Sequence, residues 1–310
     1  MVKPGKPVKD IRLRKGMTVK ELMDAYGEGC GFSAKKLADA SEIFGDMLKA
    51  KGCVKFLSFP ACINATGTRG VIVKMIREGM CDVIITTCGT VDHDLARTVK
   101  DYYHGRFDAD DAELYEKGIN RLGNVFVPNE SYGIALERLV QPILADLWKA
   151  GMRRPSTSEL LREFGKRTED PNSILRAAYD MNVPIYIPGI TDGAFGSQLW
   201  MFWQEHRELA IDLMKDEQEL MDIVFTAKKT GALIVGGGIS KHHVIWWNQF
   251  RDGLDYAVYI TTAPEHDGSL SGARMREAVS WGKVQLKAKY VTVEGDASVL
   301  LPMIVAANLR

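Results

Sequence analysis

The chain has 310 residues, of which 46% are hydrophobic, and its 40 basic and 40 acidic residues give a formal net charge of +0. This composition is typical of a globular protein with a sizeable core and excludes a disordered or fibrous chain. The neutral balance argues against nucleic-acid binding by general electrostatics. The basic residues near the start are typical of a solvated tail.

The 5 cysteines are scattered and form no C-x-x-C pair. Such a set argues against a disulfide framework and a zinc site, and it fits a reducing compartment. The start lacks the apolar segment of a secretory signal, and no apolar run reaches the ~18 residues of a membrane helix. We therefore expect a cytoplasmic protein without a metal site, a membrane contact or a nucleic-acid partner.

An N-terminal extension is predicted over residues 1–30, followed by a single domain over residues 31–310. Helical patterns and short apolar runs alternate along this domain. The predicted helices span 33–49, 66–78, 131–149, 156–167 and an interrupted stretch over 195–229. The predicted strands span 54–59, 82–87, 183–187, 232–235, 256–261, 290–293 and 299–305. The charged segment 107–121 is expected to be a surface excursion.

The predicted strands are continuously apolar rather than alternating, which is typical of strands buried on both faces of a parallel sheet. Strand–helix alternation then predicts an α/β fold with a doubly wound, mostly parallel sheet and helices on both faces, as in Rossmann-like proteins. In such folds the ligand binds beyond the carboxyl ends of the strands.

Small and polar residues follow five of the predicted strands, at 86–90, 188–193, 236–238, 261–263 and 295–298. Small residues let a ligand approach the backbone closely, so these turns indicate a large, extended ligand. The three glycines at 236–238 fit a phosphate-holding turn and a merely flexible turn equally well. Neither G-x-G-x-x-G nor a P-loop motif is present there.

Three other segments carry side chains suited to chemistry. His242 and the adjacent His243 are a poor chelating pair, so His242 is either a proton-handling residue or a core histidine. Asp267 is either an acceptor for ribose hydroxyls or the start of an Asx turn. Glu277 and Trp281 are four residues apart, so on a helix they would share one face that suits a cationic amine.

Lys283 follows that face at the end of the predicted helical segment. A lysine beside an apolar wall can lose its proton and form a Schiff base, although most lysines are solvated surface groups. Spacing alone does not select this lysine from the others.

Segments 233–263 and 267–283 together resemble the C-terminal half of the deoxyhypusine synthase family, in its archaeal type. The motifs that carry the resemblance are Gly236-Gly237-Gly238, Lys241-His242-His243, Asp255–Ile260, Asp267-Gly268-Ser269, Ser271-Gly272-Ala273 and Glu277–Lys283. Shorter matches occur at 121–124, 127–129, 191–193 and 296–297. The resemblance covers nearly the whole chain and is weakest before residue 50.

The resemblance implies an NAD-dependent transferase. Its members move the aminobutyl group of spermidine through a lysine imine to one lysine of a small translation factor. Carried over by position, Lys283 and His242 are catalytic, whereas Glu277, Trp281, Gly268, Ser269 and Asp92 bind the amine. The implied NAD-binding residues are Thr87, Gly89, Asp192, Gly237, Thr262, Ala263, Asp267, Asp296 and Ala297. No metal is implied.

The resemblance also implies a homotetramer with active sites at subunit interfaces. The extension over residues 1–30 is then either a mobile tail or a cover over a neighbour's active site.

Three positions depart from the eukaryotic members of the family. Leu270, Ser197 and His93 stand where those enzymes have acids. Each charge-assisted bond to an amine is worth about 1.5–3 kcal/mol, so these departures leave the donor amine open. Transfer to a small diamine, as in homospermidine formation, a different polyamine donor and a non-catalytic NAD-binding protein are the alternatives. The retained Lys283 and His242 argue against the last of these.

Overall fold

The computed structural model describes residues 5–309. The first four residues, which belong to the predicted extension, and residue 310 lie outside the described part. In chain order the elements are α1 (Val19–Gly29), α2 (Phe32–Lys49), β1 (Cys53–Ser58), α3 (Thr68–Arg77), β2 (Val83–Ile85), α4 (Cys88–Val99), β3 (Tyr103–His104), α5 (Asp111–Glu116), β4 (Ile119–Leu122), β5 (Val125–Pro128), α6 (Gly133–Lys149), α7 (Thr157–Arg167), α8 (Ile174–Met181), β6 (Ile185–Tyr186), α9 (Ala194–Glu205), α10 (Leu213–Thr226), β7 (Lys229–Val235), α11 (Gly238–Asn248), β8 (Leu254–Thr261), α12 (Met275–Ser280), β9 (Val284–Glu294) and α13 (Ala297–Asn308).

Six parallel strands form the main sheet in the order β6-β2-β1-β7-β8-β9. Counted along the chain, this is the 3-2-1-4-5-6 order of dinucleotide-binding folds. The order reverses between β1 and β7, which pair from Cys53↔Lys229 to Ser58↔Ile234. The predicted doubly wound α/β fold is confirmed, and the crevice expected to hold a ligand lies at the carboxyl ends of β1 and β7.

Apart from the partly exposed edge strand β9, the strands are buried on both faces because helices cover both sides of the sheet. Neighbouring residues point into different cores: Leu57 and Leu233 contribute to one, and Phe56 and Ala232 to the other. Side chains alternate between the two faces of a strand, so a continuous apolar run is needed to fill both cores. Helices α10, α11 and α12 cover the second core, while the first lies against α2, α3, α4 and α13.

One predicted strand is wrong. Residues 299–305 lie in helix α13 rather than in the sheet. The carboxylate of Asp296 accepts a hydrogen bond from the backbone N–H of Ser298 (2.8 Å) and caps this helix. The buried residues Leu301, Ile304 and Val305 follow a helical spacing. A short, continuously apolar run does not by itself distinguish a buried helix from a buried strand.

The N-terminal part of the chain folds onto the domain from α1 onward. A capping box between Thr18 and Glu21 starts α1, and Met23 is buried in the first core. The segment 107–121, expected to be a surface excursion, contributes α5 and most of β4, an edge strand of a small antiparallel sheet in the order β3-β5-β4. Of the helices formed by residues 5–309, none is sufficiently long and apolar to span a bilayer.

Candidate active site

The nine residues predicted to bind a cofactor all follow the carboxyl ends of sheet strands. Thr87 precedes α4 after β2, and Asp192 lies between β6 and α9. Gly237 follows β7, Thr262 follows β8 and Asp296 follows β9. The remaining residues of the set, in the same turns or at the helix starts beside them, are Gly89, Ala263, Asp267 and Ala297. The topology therefore brings the whole set to one edge of the sheet.

The glycine turn after β7 needs glycine for two different reasons. Gly236 and Gly238 have φ angles of 66° and 74°, in the left-handed region that favours glycine. A Cβ on Gly237 would lie 2.2 Å from Oγ and 2.4 Å from Cα of Ser271, so the two loops can touch only without it. Helix α11 begins at this turn without a side-chain cap. Its first N–H groups suit a phosphate, so the turn fits the pyrophosphate of a dinucleotide.

The loop after β8 is an Asx turn. Oδ1 of Asp267 accepts hydrogen bonds from the backbone N–H and the hydroxyl of Ser269, both at 2.7 Å. The side-chain bond from Ser269 is the main cause that lowers the pKa of this exposed carboxyl. Gly268 between them has a φ of 70°. Asp267 is thus an exposed carboxylate held in a fixed turn, which is compatible with accepting bonds from ribose hydroxyls.

Two buried cations, both missed by the sequence reasoning, anchor this loop. Nζ of Lys241 donates to the carbonyl oxygens of Leu270 (2.6 Å) and Ala273 (2.7 Å) and lies 3.9 Å from the ring centre of Tyr259. Arg274 donates to the carbonyl oxygens at 263 (3.0 Å) and 272 (3.1 Å). The Lys241-His242-His243 motif was noticed in the sequence, but no sequence signal indicates that its lysine is buried.

Lys283 is positioned by the way α12 ends. The N–H of Gly282 bonds the carbonyl of Val279, and the N–H of Lys283 bonds the carbonyl of Ala278, each at 3.0 Å. Gly282 has a φ of 67°. This pair of bonds is a Schellman motif, in which a left-handed glycine reverses the chain. The motif leads Lys283 into the start of β9, so this residue precedes a strand, unlike the cofactor set.

The side chain of Lys283 is buried and lies between two indoles. Its Nζ is 5.2 Å from the ring centre of Trp281 and 5.5 Å from that of Trp246. Trp246 stacks on His242, with 5.4 Å between the ring centres and 24° between the planes. The structure therefore brings together the predicted residues Lys283, His242 and Trp281, and it adds Trp246, which the sequence did not single out.

Burial and nearby charges shift the pKa values of two side chains close to Lys283. Burial is the main cause that lowers the pKa of His242, and the positive charge of Lys283 lowers it further. Burial also lowers the pKa of Lys241 to about 8, whereas the charge of Glu277 raises it. Glu277 is exposed and lies in the first turn of α12. A neutral imidazole, a buried amine and a nearby carboxylate can together bind an amine and move its protons.

His243 faces away from this group. Its Nε2 accepts a bond from Nε1 of Trp247 (3.0 Å) and lies 3.2 Å from Oε2 of Glu217. Burial lowers the pKa of His243 to about 4, so this histidine is a neutral core residue. Within residues 5–309, no three His, Cys, Asp or Glu side chains come together as metal ligands.

The structure does not bring Asp92 to the amine group. Its buried carboxylate accepts bonds from the hydroxyl of Tyr132 (2.8 Å) and from the backbone N–H groups of Ala194 (2.9 Å) and Phe195 (2.7 Å). Asp92 thus caps the start of α9, and burial raises the pKa of its carboxyl. The neighbouring His93 is also buried and contacts the hydroxyl of Tyr102 (2.9 Å). We therefore leave Asp92 out of the proposed amine site.

Comparisons with known proteins point to one family. The deoxyhypusine synthase family model matches residues 21–308. A Picrophilus torridus protein named probable deoxyhypusine synthase is 54% identical over 304 residues, which cover 98% of this chain and 97% of that protein. A protein of the same name from Ignicoccus hospitalis is 50% identical over 308 residues, with coverages of 98% and 95%.

Two solved structures are similar in fold. The crystal structure of an Entamoeba histolytica protein, provisionally assigned as a deoxyhypusine synthase, has a TM-score of 0.69 at 22% identity and covers 97% of this chain and 96% of that one. The complex of AgrE with ornithine and NAD+ has a TM-score of 0.53 at 12% identity, with coverages of 90% and 34%. At these identities the likeness concerns the fold alone.

Proposed function

Because the chain belongs to the deoxyhypusine synthase family, which consists of transferases, we propose that it makes deoxyhypusine. It transfers the aminobutyl group of spermidine, through an imine on Lys283, to a lysine of the translation factor that carries hypusine. The observation that carries this proposal is the buried amine of Lys283 between two indoles, one of which stacks on His242.

NAD, when bound, would supply a hydride acceptor for oxidation of the four-carbon arm of spermidine at its secondary nitrogen, and the hydride for the final reduction. Gly237, Asp267 and the other residues at the carboxyl edge would hold this cofactor. Their support is the uncapped start of α11 and the exposed carboxylate of Asp267.

The amine of Lys283 attacks the imine carbon of the oxidised amine. The bond from this carbon to the three-carbon arm breaks, and 1,3-diaminopropane leaves with the proton that Nζ gives up. The acceptor lysine then attacks the same carbon and displaces Nζ, which returns as a free amine. Each exchange replaces one carbon–nitrogen bond by another, so Lys283 is regenerated.

His242 carries the proton between the two nitrogens. Its lowered pKa keeps the imidazole neutral near pH 7, so it can accept a proton from Nζ and pass it on. Glu277 holds an ammonium end of the polyamine by a charge-assisted bond. Trp281 packs along the carbon chain of the polyamine. Gly268 and Ser269 contribute to its site from the loop after β8.

The assembly is part of the proposal. We propose a cytoplasmic homotetramer with active sites at subunit interfaces, in which the part of segment 1–30 that precedes α1 is a mobile tail or covers a neighbour's site. The support is the family resemblance, together with Trp281 and Trp246, which are 66% and 40% exposed beside Lys283 in the single chain. Indoles exposed to this extent are common at protein interfaces.

Mass spectrometry after incubation with NAD and spermidine, followed by borohydride, tests the proposal. We expect a four-carbon amine on Lys283 of the wild type and none on a Lys283→Ala variant. Lys287→Ala removes an exposed lysine of the same strand and should leave the adduct intact. A wild type that binds NAD but forms no adduct would contradict the proposal.

A second candidate differs only in the acceptor. Ser197 and Leu270 are uncharged where eukaryotic members have acids, which favours an enzyme with altered amine preference. In that case the aminobutyl group passes to putrescine and yields homospermidine. The enzyme that carries the aminobutyl group on Lys283 is incubated with the translation factor or with putrescine. This separates the candidates, because only one of the two acceptors should be consumed.

A further inference from the structure

Two aromatic faces enclose the amine on which the proposed chemistry depends. The ring centres of Trp281 and Trp246 lie 5.2 and 5.5 Å from Nζ of Lys283. Cation–π attraction operates within about 6 Å of a ring centre, and tryptophan is the most effective partner. Both rings are therefore within reach of a positive charge at this nitrogen.

Trp246 is held in this position by its own neighbours. It stacks on His242 on one side, and Phe250 packs edge-on against it with 6.1 Å between ring centres. The adjacent Trp247 has a different environment, because its Nε1 donates to His243. Residues 246 and 247 point to different sides of α11, so only Trp246 faces Lys283.

Positive charge develops at this nitrogen during the proposed reaction. The protonated imine on Lys283 carries its charge at Nζ. The nitrogen of the leaving diamine and the nitrogen of the acceptor are each bonded in turn to the carbon next to Nζ. Carboxylates to balance that charge are few here. Asp92 is occupied in capping α9, and positions 197 and 270 are uncharged. Glu277 is the one acid that we assign to the amine site.

We propose that Trp246 is a further substrate-binding residue and that it forms, with Trp281, an aromatic cage for the cationic nitrogen at Lys283. This inference rests on the proposed function and deepens it. The cage favours a cationic amine or imine over an uncharged group of the same shape. It attracts the positive charge in place of the carboxylates that eukaryotic members of the family have. Its ligand class is a linear polyamine.

Binding of two matched probes tests the cage without any turnover. The probes are 1,8-diaminooctane, which is as long as spermidine, and 1,8-octanediol, which has the same length and no charge. The ratio of their dissociation constants reports recognition of charge. Trp246→Leu should reduce this ratio about 5-fold, which corresponds to about 1 kcal/mol. Trp246→Phe keeps an aromatic face and should reduce it only about 2-fold.

Two controls separate the cage from general damage. Trp247→Phe changes the neighbouring indole and should leave the ratio unaltered, and NAD affinity should be the same in all variants. An unchanged ratio in Trp246→Leu, or an equal fall in Trp247→Phe, would overturn the cage. A wild type that discriminates the probes but forms no borohydride-trapped adduct would support the cage and contradict the proposed function.

Discussion

Lys241 offers a test of how the site loop is held. Its side chain is 1% exposed, and burial lowers its pKa from the ordinary 10.5 to about 8. The unfolded chain therefore keeps this proton up to about pH 10.5, whereas the folded chain releases it near pH 8. Between these values the unfolded state binds more protons, so the free energy of unfolding rises with pH.

The size of this effect follows from the two pKa values. An interval of about 2.5 pH units corresponds to roughly 3 kcal/mol, at about 1.36 kcal/mol per unit. Lys241→Met removes the titrating group and keeps a side chain of similar length. The stability of the wild type relative to this variant should therefore increase by about 3 kcal/mol from pH 7.5 to pH 10.5.

Urea denaturation at several pH values, with protein concentration and ionic strength fixed, measures this difference. All other groups titrate in both proteins, so their contributions cancel. Lys51→Met, which removes an exposed lysine, corrects for the loss of one positive charge. A difference that stays constant over this range would refute the reasoning. It would mean that the carbonyls of Leu270 and Ala273 stabilise the charged amine enough to offset its burial.

Two further predictions concern the backbone and a buried acid. Gly282→Ala and Gly79→Ala both place alanine at a positive φ (67° and 64°) with open space around it, so each should cost about 1–2 kcal/mol of stability. Only Gly282→Ala should also reduce the borohydride-trapped adduct on Lys283, and equal adduct yields would contradict the role of the Schellman motif. The fully buried Asp94 pairs with Arg69 (2.7 Å) and accepts bonds from the start of α8, so Asp94→Ala should lower the free energy of unfolding in urea by about 3–5 kcal/mol. A much smaller loss would contradict this and would mean that Asp170, 3.1 Å from the same arginine, is a sufficient partner.

The sheet was predictable because most of its strands are buried on both faces and read as continuous apolar runs. The same pattern misled at residues 299–305, where a short apolar run forms the buried helix α13. The turns at the carboxyl edge were predictable as well, since small or polar residues follow five of the six strands of the main sheet. Their grouping at one edge depends only on the strands being parallel.

The site around Lys283 was less predictable. The spacing of four residues predicted that Glu277 and Trp281 share one face of a helix. The choice of Lys283, however, came from the family resemblance. The positions of Lys241 and Trp246 depend on how α11 packs against α12 and the loop after β8. Such contacts join residues distant in the chain, and no local pattern encodes them. The same is true of Asp92, whose capping of α9 is a tertiary contact.

The central pair of strands also has a consequence for folding. Strands β1 and β7 are neighbours in the sheet, yet residues 59–228 separate them in the chain. Closing so long a connection costs entropy before any contact compensates it, and sheets of this kind form slowly. The crevice at the end of β1 and β7 exists only once both halves have met. A partly folded chain therefore cannot hold a dinucleotide there, and cofactor binding should stabilise only the complete sheet.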